Sequence, residues 1–134
     1  MSNEIFFQAH IDGGDQYLPV SEIISCFSPY VSEKDKDSFL VTFSDKDSCR
    51  IYLDATKETV SHFMVSRPCG DPRLDECLFK VARLGNFVSF EPGFECAFIF
   101  DKAAVDHLPE DMRKSISEFR FIRSVEEYRK RYES

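Results

Sequence analysis

The sequence predicts an α+β fold, a mainly antiparallel sheet of about five to seven strands with three or four helices packed largely on one face. Two observations carry the sheet. Short runs of alternating apolar and polar residues recur along the chain, and several are separated by connections of hairpin length. A third carries the helices: Leu74, Cys77, Leu78, Val81 and Ala82 follow the i, i+3, i+4, i+7, i+8 spacing of one helix face. At 134 residues the chain is one domain long, and a domain of that size buries roughly 68% of its unfolded surface, so residues 1–134 are expected to form a single globular unit.

Residues 4–11, EIFFQAHI, read as a first strand, and Asp12-Gly13-Gly14-Asp15 supplies the positive φ angles of a tight turn. SEIISCF, residues 21–27, reads as a short helix capped by Ser21 or as a strand, with the helix favoured, and Pro29 ends the run. SEKDKDS, residues 32–38, reads as a polar loop. The runs at 39–43, 49–54 and 60–67 then form a three-stranded antiparallel meander, with Cys49, Ile51 and Leu53 on one face and Arg50, Tyr52 and Asp54 on the other.

In the second half a helix is predicted over 72–84, started by Asp71 and Pro72 and stopped by Gly85. NFVSF and CAFIF flank Glu91-Pro92-Gly93-Phe94, which suits a type II turn and a second hairpin. Pro109, then Glu110 and Asp111 ahead of Arg113 and Lys114, give the charge order that a helix dipole favours. FRFIR at 119–123 reads as a last strand, and Ser124 with Glu127 forms a capping box that opens a C-terminal helix bearing Val125, Tyr128 and Tyr132 along one side.

Composition narrows the function classes. The formal charge of −7 is uneven: residues 1–112 carry 20 acidic and 10 basic side chains, residues 113–134 carry 4 and 7. An acidic body repels phosphate backbones, so nucleic acid is not an expected partner, whereas a basic protein is attracted and its encounter accelerated. No apolar stretch reaches the roughly 18 residues that cross a bilayer, and MSNEIFFQAH lacks the basic start and apolar run of a signal peptide, so a cytoplasmic protein with no membrane partner is expected. The five cysteines, Cys26, Cys49, Cys69, Cys77 and Cys96, are odd in number and contain no C-x-x-C pair, as reduced thiols would.

The segment with the most chemical content is RPCGDPR. Cys69 lies two residues ahead of a helix start, between Arg67 and Arg73, where free amides and guanidinium groups could lower a thiol pKa and hold an anion. Cys69 is thus the candidate nucleophile, and Arg67, Asp71 and Arg73 are candidate anion- or partner-binding residues. Against this, a phosphatase pattern would need Arg where Asp75 stands, and Asp71, Asp75 and Glu76 oppose an anion. The acid-rich stretch from Asp101 to Asp111, with His107, is explained by helix starts rather than by metal ligation, and His62 sits on a strand face without a partner in sequence. Asp54 with Glu58, or Glu91 with Glu95, could pair across a turn as acid and base. No metal or cofactor is implied by any of these.

Because no catalytic pattern stands out, a binding protein is expected rather than an enzyme. The chain has the general character of proteins that neutralise or escort a partner, such as the immunity proteins of bacterial secreted toxins, acting by steering to a basic partner and burying aromatic side chains. The alternatives are a secretion chaperone working as a homodimer and a small cysteine-dependent hydrolase or transferase using Cys69.

Overall fold

In the computed structural model, residues 4–93 and 96–131 are described, and they fold as an α+β protein with a large, mainly antiparallel sheet. The strands are β1 (Glu4–Ile11), β2 (Gly14–Asp15), β3 (Leu18–Pro19), β4 (Val31–Lys34), β5 (Ser38–Thr42), β6 (Ser48–Tyr52), β7 (Thr59–Val60), β8 (His62–Ser66), β9 (Phe87–Phe90), β10 (Cys96–Ile99) and β11 (Glu118–Phe121). The helices are α1 (Val20–Ser25), α2 (Pro72–Ala82), α3 (Glu110–Ser115) and α4 (Val125–Arg129), with a 3-10 helix over Lys102–His107. The main sheet runs β11-β10-β9-β1-β8-β6-β5-β4, with β2 added to β1 to make nine strands, and β3 pairs β7 separately. Both strand and helix numbers therefore exceed the expectation, chiefly because two-residue strands and short helical turns leave little periodicity to read.

The order follows from local chemistry. The β1–β2 turn places Asp12 at φ 50° and Gly13 at φ 81°, with Ile11 paired to Gly14, the two left-handed residues that a two-residue hairpin requires. β5, β6 and β8 form the expected meander. The segment read as a polar loop begins with β4, an edge strand. Its charged residues are what an edge strand uses to discourage further pairing, and a register shift between Val31 and Glu33 adds a bulge. Of the expected turn after β9, Phe94 lies outside the described residues, as do Glu95 and Tyr132. β11 is not hairpin-connected: it lies parallel to β10 after a crossover through the 3-10 helix and α3.

The core explains why β1 is central. Ile5, Phe7 and Ala9 face one side, where Phe7 stacks on Phe63 at 4.7 Å between ring centroids and meets Phe87 and Phe100 at 6.2 and 6.4 Å. α1, α2 and α4 cover this side, contributing Ile23, Leu74, Leu78, Val81 and Tyr128 to the same cluster. The expectation of helices largely on one face is corrected on the other side. There Val88, Ala97 and Ile99 form a second core with Ala104 and Leu108 of the 3-10 segment and with Met112 and Ile116 around α3. This works because β9 and β10 are apolar on both faces, so each face needs a cover. The second cover spans the β9–β11 half only.

Candidate functional site

Of the candidates in RPCGDPR, the structure brings Asp71 and Arg73 together. Asp71 caps α2 by accepting from the Arg73 backbone N–H at 2.8 Å, and also accepts from Arg73 Nε at 2.9 Å and Nη2 at 2.7 Å. Arg73 Nη2 donates to the Phe43 carbonyl at 3.0 Å as well, and its guanidinium lies over the Tyr30 and Phe43 rings. The bonds from Arg73 hold the Asp71 carboxyl down to about 2. The helix N-terminus and its nearest cation thus already have a resident anion in Asp71. Cys69 is half-buried against the main core beside Cys49, whose thiol is pushed up to about 12, first by burial and then by the Cys69 thiol next to it. Arg67, in the left-handed region at φ 49°, lines a recess with Arg50, Tyr52, Ser66 and Cys49.

The other sequence candidates have local structural partners. His107 Nδ1 accepts from the Asp12 backbone N–H at 3.2 Å, and the His107 carbonyl accepts from Gly13 N–H at 2.9 Å, tying the 3-10 helix to the β1–β2 turn. Asp54 accepts from the Thr56 backbone and hydroxyl, which lowers its pKa and keeps it ionised. His62 is exposed, with Nδ1 3.4 Å from Ser61 Oγ. Among the described residues no three His, Cys, Asp or Glu side chains gather as metal ligands would.

What the fold does assemble is a surface that sequence spacing could not show. On the face away from α1, α2 and α4, strand register sets Phe90, Phe6, Met64 and Tyr52 side by side across four strands, with Ser38 next in line. Phe90 stacks on Phe6 at 5.7 Å and tucks beside Met112 and Ile116 at the margin of the second helix cover. No described residue covers the remainder of the row: Phe6 and Met64 are half-buried and Tyr52 is 40% exposed. The next row below reads Glu4, Ser66, Arg50, Leu40 and Glu33, and Gln8 and His62 pair above it.

Tyr52 separates two recesses on this open half. One, of about 460 Å³, is floored by Phe6, Met64 and Tyr52 and rimmed by Asp37, Asp54 and His62, with Lys36 alongside. The other, of about 390 Å³, holds Arg50, Arg67, Ser48 and Ser66 around Leu40. Arg50 is anchored there by Ser38 Oγ at 3.0 Å and by Glu33 and Asp35 at 3.3 and 3.6 Å. A row of large apolar side chains with polar groups on either side is the arrangement of a protein-binding patch, in which central aromatic anchors are desolvated and the rim stays polar.

The uneven charge also finds a structural use. Arg131 pairs with Asp75 at 3.1 Å while lying over the Tyr128 ring at 3.9 Å, and Arg129 pairs with Glu76 at 2.8 Å. Two of the C-terminal cations therefore clamp α4 onto α2. Arg120–Glu118 within β11, Lys114–Glu110 within α3, and Arg123, just ahead of α4, with Glu127 take up three more. No helix among the described residues is long and apolar enough to cross a membrane. Compared with family models, with curated proteins and with solved structures, the chain matches none of them.

Proposed function

We propose that this chain is a protein-binding module that captures a partner protein stoichiometrically, in the manner of a toxin-neutralising or escorting protein, and that the partner docks on the open half of the sheet. The observation that carries the reading is the uncovered row of Phe6, Met64 and Tyr52. A contiguous apolar patch rimmed by polar residues marks an interaction site, because leaving it in water costs free energy that a partner recovers. Tyr52 has the character of an anchor: a large ring, few rotamers to freeze, and a hydroxyl able to stay hydrogen-bonded.

The net charge of −7 supports a basic partner. With much of the C-terminal positive charge engaged internally, the field seen at long range is that of the acidic surplus, which raises the encounter rate with a cation-rich surface and is screened by salt. Cytoplasmic action on a single partner fits the same reading. The cysteine-dependent alternative has less support, since Arg73 is already engaged by Asp71 and by the Phe43 carbonyl.

A photo-crosslinking amino acid in place of Tyr52, compared with the same group in place of Tyr17, tests the docking surface. Tyr17 is 62% exposed and belongs to no part of the row. The expected result is an adduct with a basic protein, formed at position 52 and not at 17; equal labelling at both positions would overturn the assignment of the face.

A further inference from the structure

We propose that Cys49 and Cys69 form a redox-sensitive pair, closed to an intramolecular disulfide by a peroxide and reopened by a dithiol reductant, so that oxidation ties the link between β8 and α2 to β6. The pair belongs to the helix-covered side of the sheet, and its chemistry is independent of what docks on the open half.

The fold carries the link across Cys49. β6 and β8 pair Arg50 with Ser66, so a further rung would set Cys49 opposite position 67. The strand ends there instead. Arg67, at φ 49°, turns the chain off the sheet, and residues 67–70 cross to the α2 cap at Asp71. Both ends of this short link are held. The ladder fixes Ser66, while Arg73 holds Asp71 and also donates to the carbonyl of Phe43, two residues past Val41, the β5 partner of Cys49.

Within that frame the two side chains meet. Cys49 is buried in the main core with Ile51, and Cys69 packs against the same core. The Cys49 sulfur faces both the thiol and the backbone N–H of Cys69. Among the described residues the other thiols stand farther from it: Cys77 of α2 acts on Cys49 through charge alone, Cys26 neighbours Cys77, and Cys96 lies on β10 beside Glu118. Thiols already side by side need only side-chain rotation to reach the roughly 2.05 Å of a disulfide. Because the link is ordered before the bond forms, closure costs little further entropy.

All five cysteines are free thiols in this structure, the reduced state of the pair, and exposure sets the order of events: Cys69 is half-buried and Cys49 buried. The Cys69 thiolate meets the peroxide first. Its S–O bond forms as the O–O bond breaks, and the hydroxide that leaves takes up the proton Cys69 gave up, as water. Cys49, pushed up to about 12 by burial, keeps its proton until the second step. Its sulfur then attacks the sulfenic sulfur of Cys69, the S–S bond forms as the S–O bond breaks, and the departing hydroxide takes the Cys49 proton as a second water. Two thiols and one hydrogen peroxide thus give one disulfide and two waters. The two sulfurs together lose the two electrons that the peroxide oxygens gain.

The test oxidises the reduced full chain with hydrogen peroxide and reads it by mass spectrometry without reduction. The monomer should become lighter by two hydrogen atoms, and trypsin should release residues 47–50 joined to residues 58–73. Dithiothreitol should separate them. The oxidised chain should also unfold at a thermal midpoint higher by roughly 5 °C or more, since the bond restricts the unfolded chain. Cys69→Ser, a change of one atom at a half-buried position, should keep the fold by circular dichroism and lose both effects, while Cys96→Ser should retain them. Five thiols still free after peroxide, residues 58–73 joined to a different cysteine, or a bond formed only between chains would overturn the proposal, as would an oxidised midpoint no higher than the reduced one.

Discussion

Truncating Phe7 to alanine should cost about 4 kcal/mol of stability, while the same change at Phe6, its neighbour, should cost about 1 kcal/mol. The difference follows from which side of the sheet each ring occupies. Phe7 is fully buried among Phe63, Phe87 and Phe100, on the side closed by three helices. Its removal forfeits the transfer free energy of a whole ring and leaves a cavity that close-packed neighbours only partly fill. Among the described residues Phe6 has one ring partner, Phe90, and it has a half-buried surface on the open half. Water or a neighbouring side chain takes up the space it leaves, so the cavity penalty is absent. Urea denaturation with the slope held in common would show the midpoint falling by about 2–3 M for Phe7→Ala and by less than about 1 M for Phe6→Ala. Equal losses would mean that the Phe6 face is covered, and would refute the open-half description from which the binding surface is argued.

Other consequences concern individual groups. Asp71 is held well below the usual carboxylate range, at about 2, so its capping contribution is complete above its unfolded pKa and is lost as pH falls through its folded one. In an acid titration followed by circular dichroism, the stability gap between wild type and Asp71→Asn should close from about pH 4 down to about pH 2; a gap unchanged across that window would contradict the pairing with Arg73. Burial pushes Cys49 up to about 12 and Cys77 up to about 11. Native protein treated with iodoacetamide at about pH 8 should therefore leave both unmodified by mass spectrometry, and rapid alkylation of Cys49 would refute that environment. Arg131→Ala should cost about 2 kcal/mol in thermal unfolding and Arg129→Ala less than about 1 kcal/mol, because the Arg131–Asp75 pair is largely buried and the Arg129–Glu76 pair partly exposed. Equal effects would count against the Arg131 clamp.

Much of the fold was legible because its signals are local. The positive-φ turn after β1, the Asp71-Pro72 start of α2 and the meander from β5 to β8 each follow from a few adjacent residues. Ser124 likewise accepts from the Glu127 backbone N–H at 3.2 Å, as a capping box predicts, although the returning Glu127 carboxylate takes the Arg123 N–H at 2.8 Å instead. β4 was not legible, since a strand protected by charge looks like a polar loop until its partner is known. The open row of the sheet was hidden for a related reason. Tyr52 falls between Arg50 and Asp54, and alternation assigns all three to a polar face; only pairing with Met64, and of Met64 with Phe6, turns one tyrosine into part of an apolar row. A faint signal did exist: the adjacent Phe6 and Phe7 make the first strand apolar on both faces, which requires a cover on each side. The fold supplies one of those covers to the β9–β11 half alone.

The most direct test of a partner on the open half is parallel affinity capture by tagged wild-type and Tyr52→Arg protein from the source cells, read by mass spectrometry. The account predicts a stoichiometric basic protein with wild type that is lost with Tyr52→Arg and retained by Arg129→Ala as a control. A partner held equally by Tyr52→Arg, or no stoichiometric partner with wild type, would contradict it.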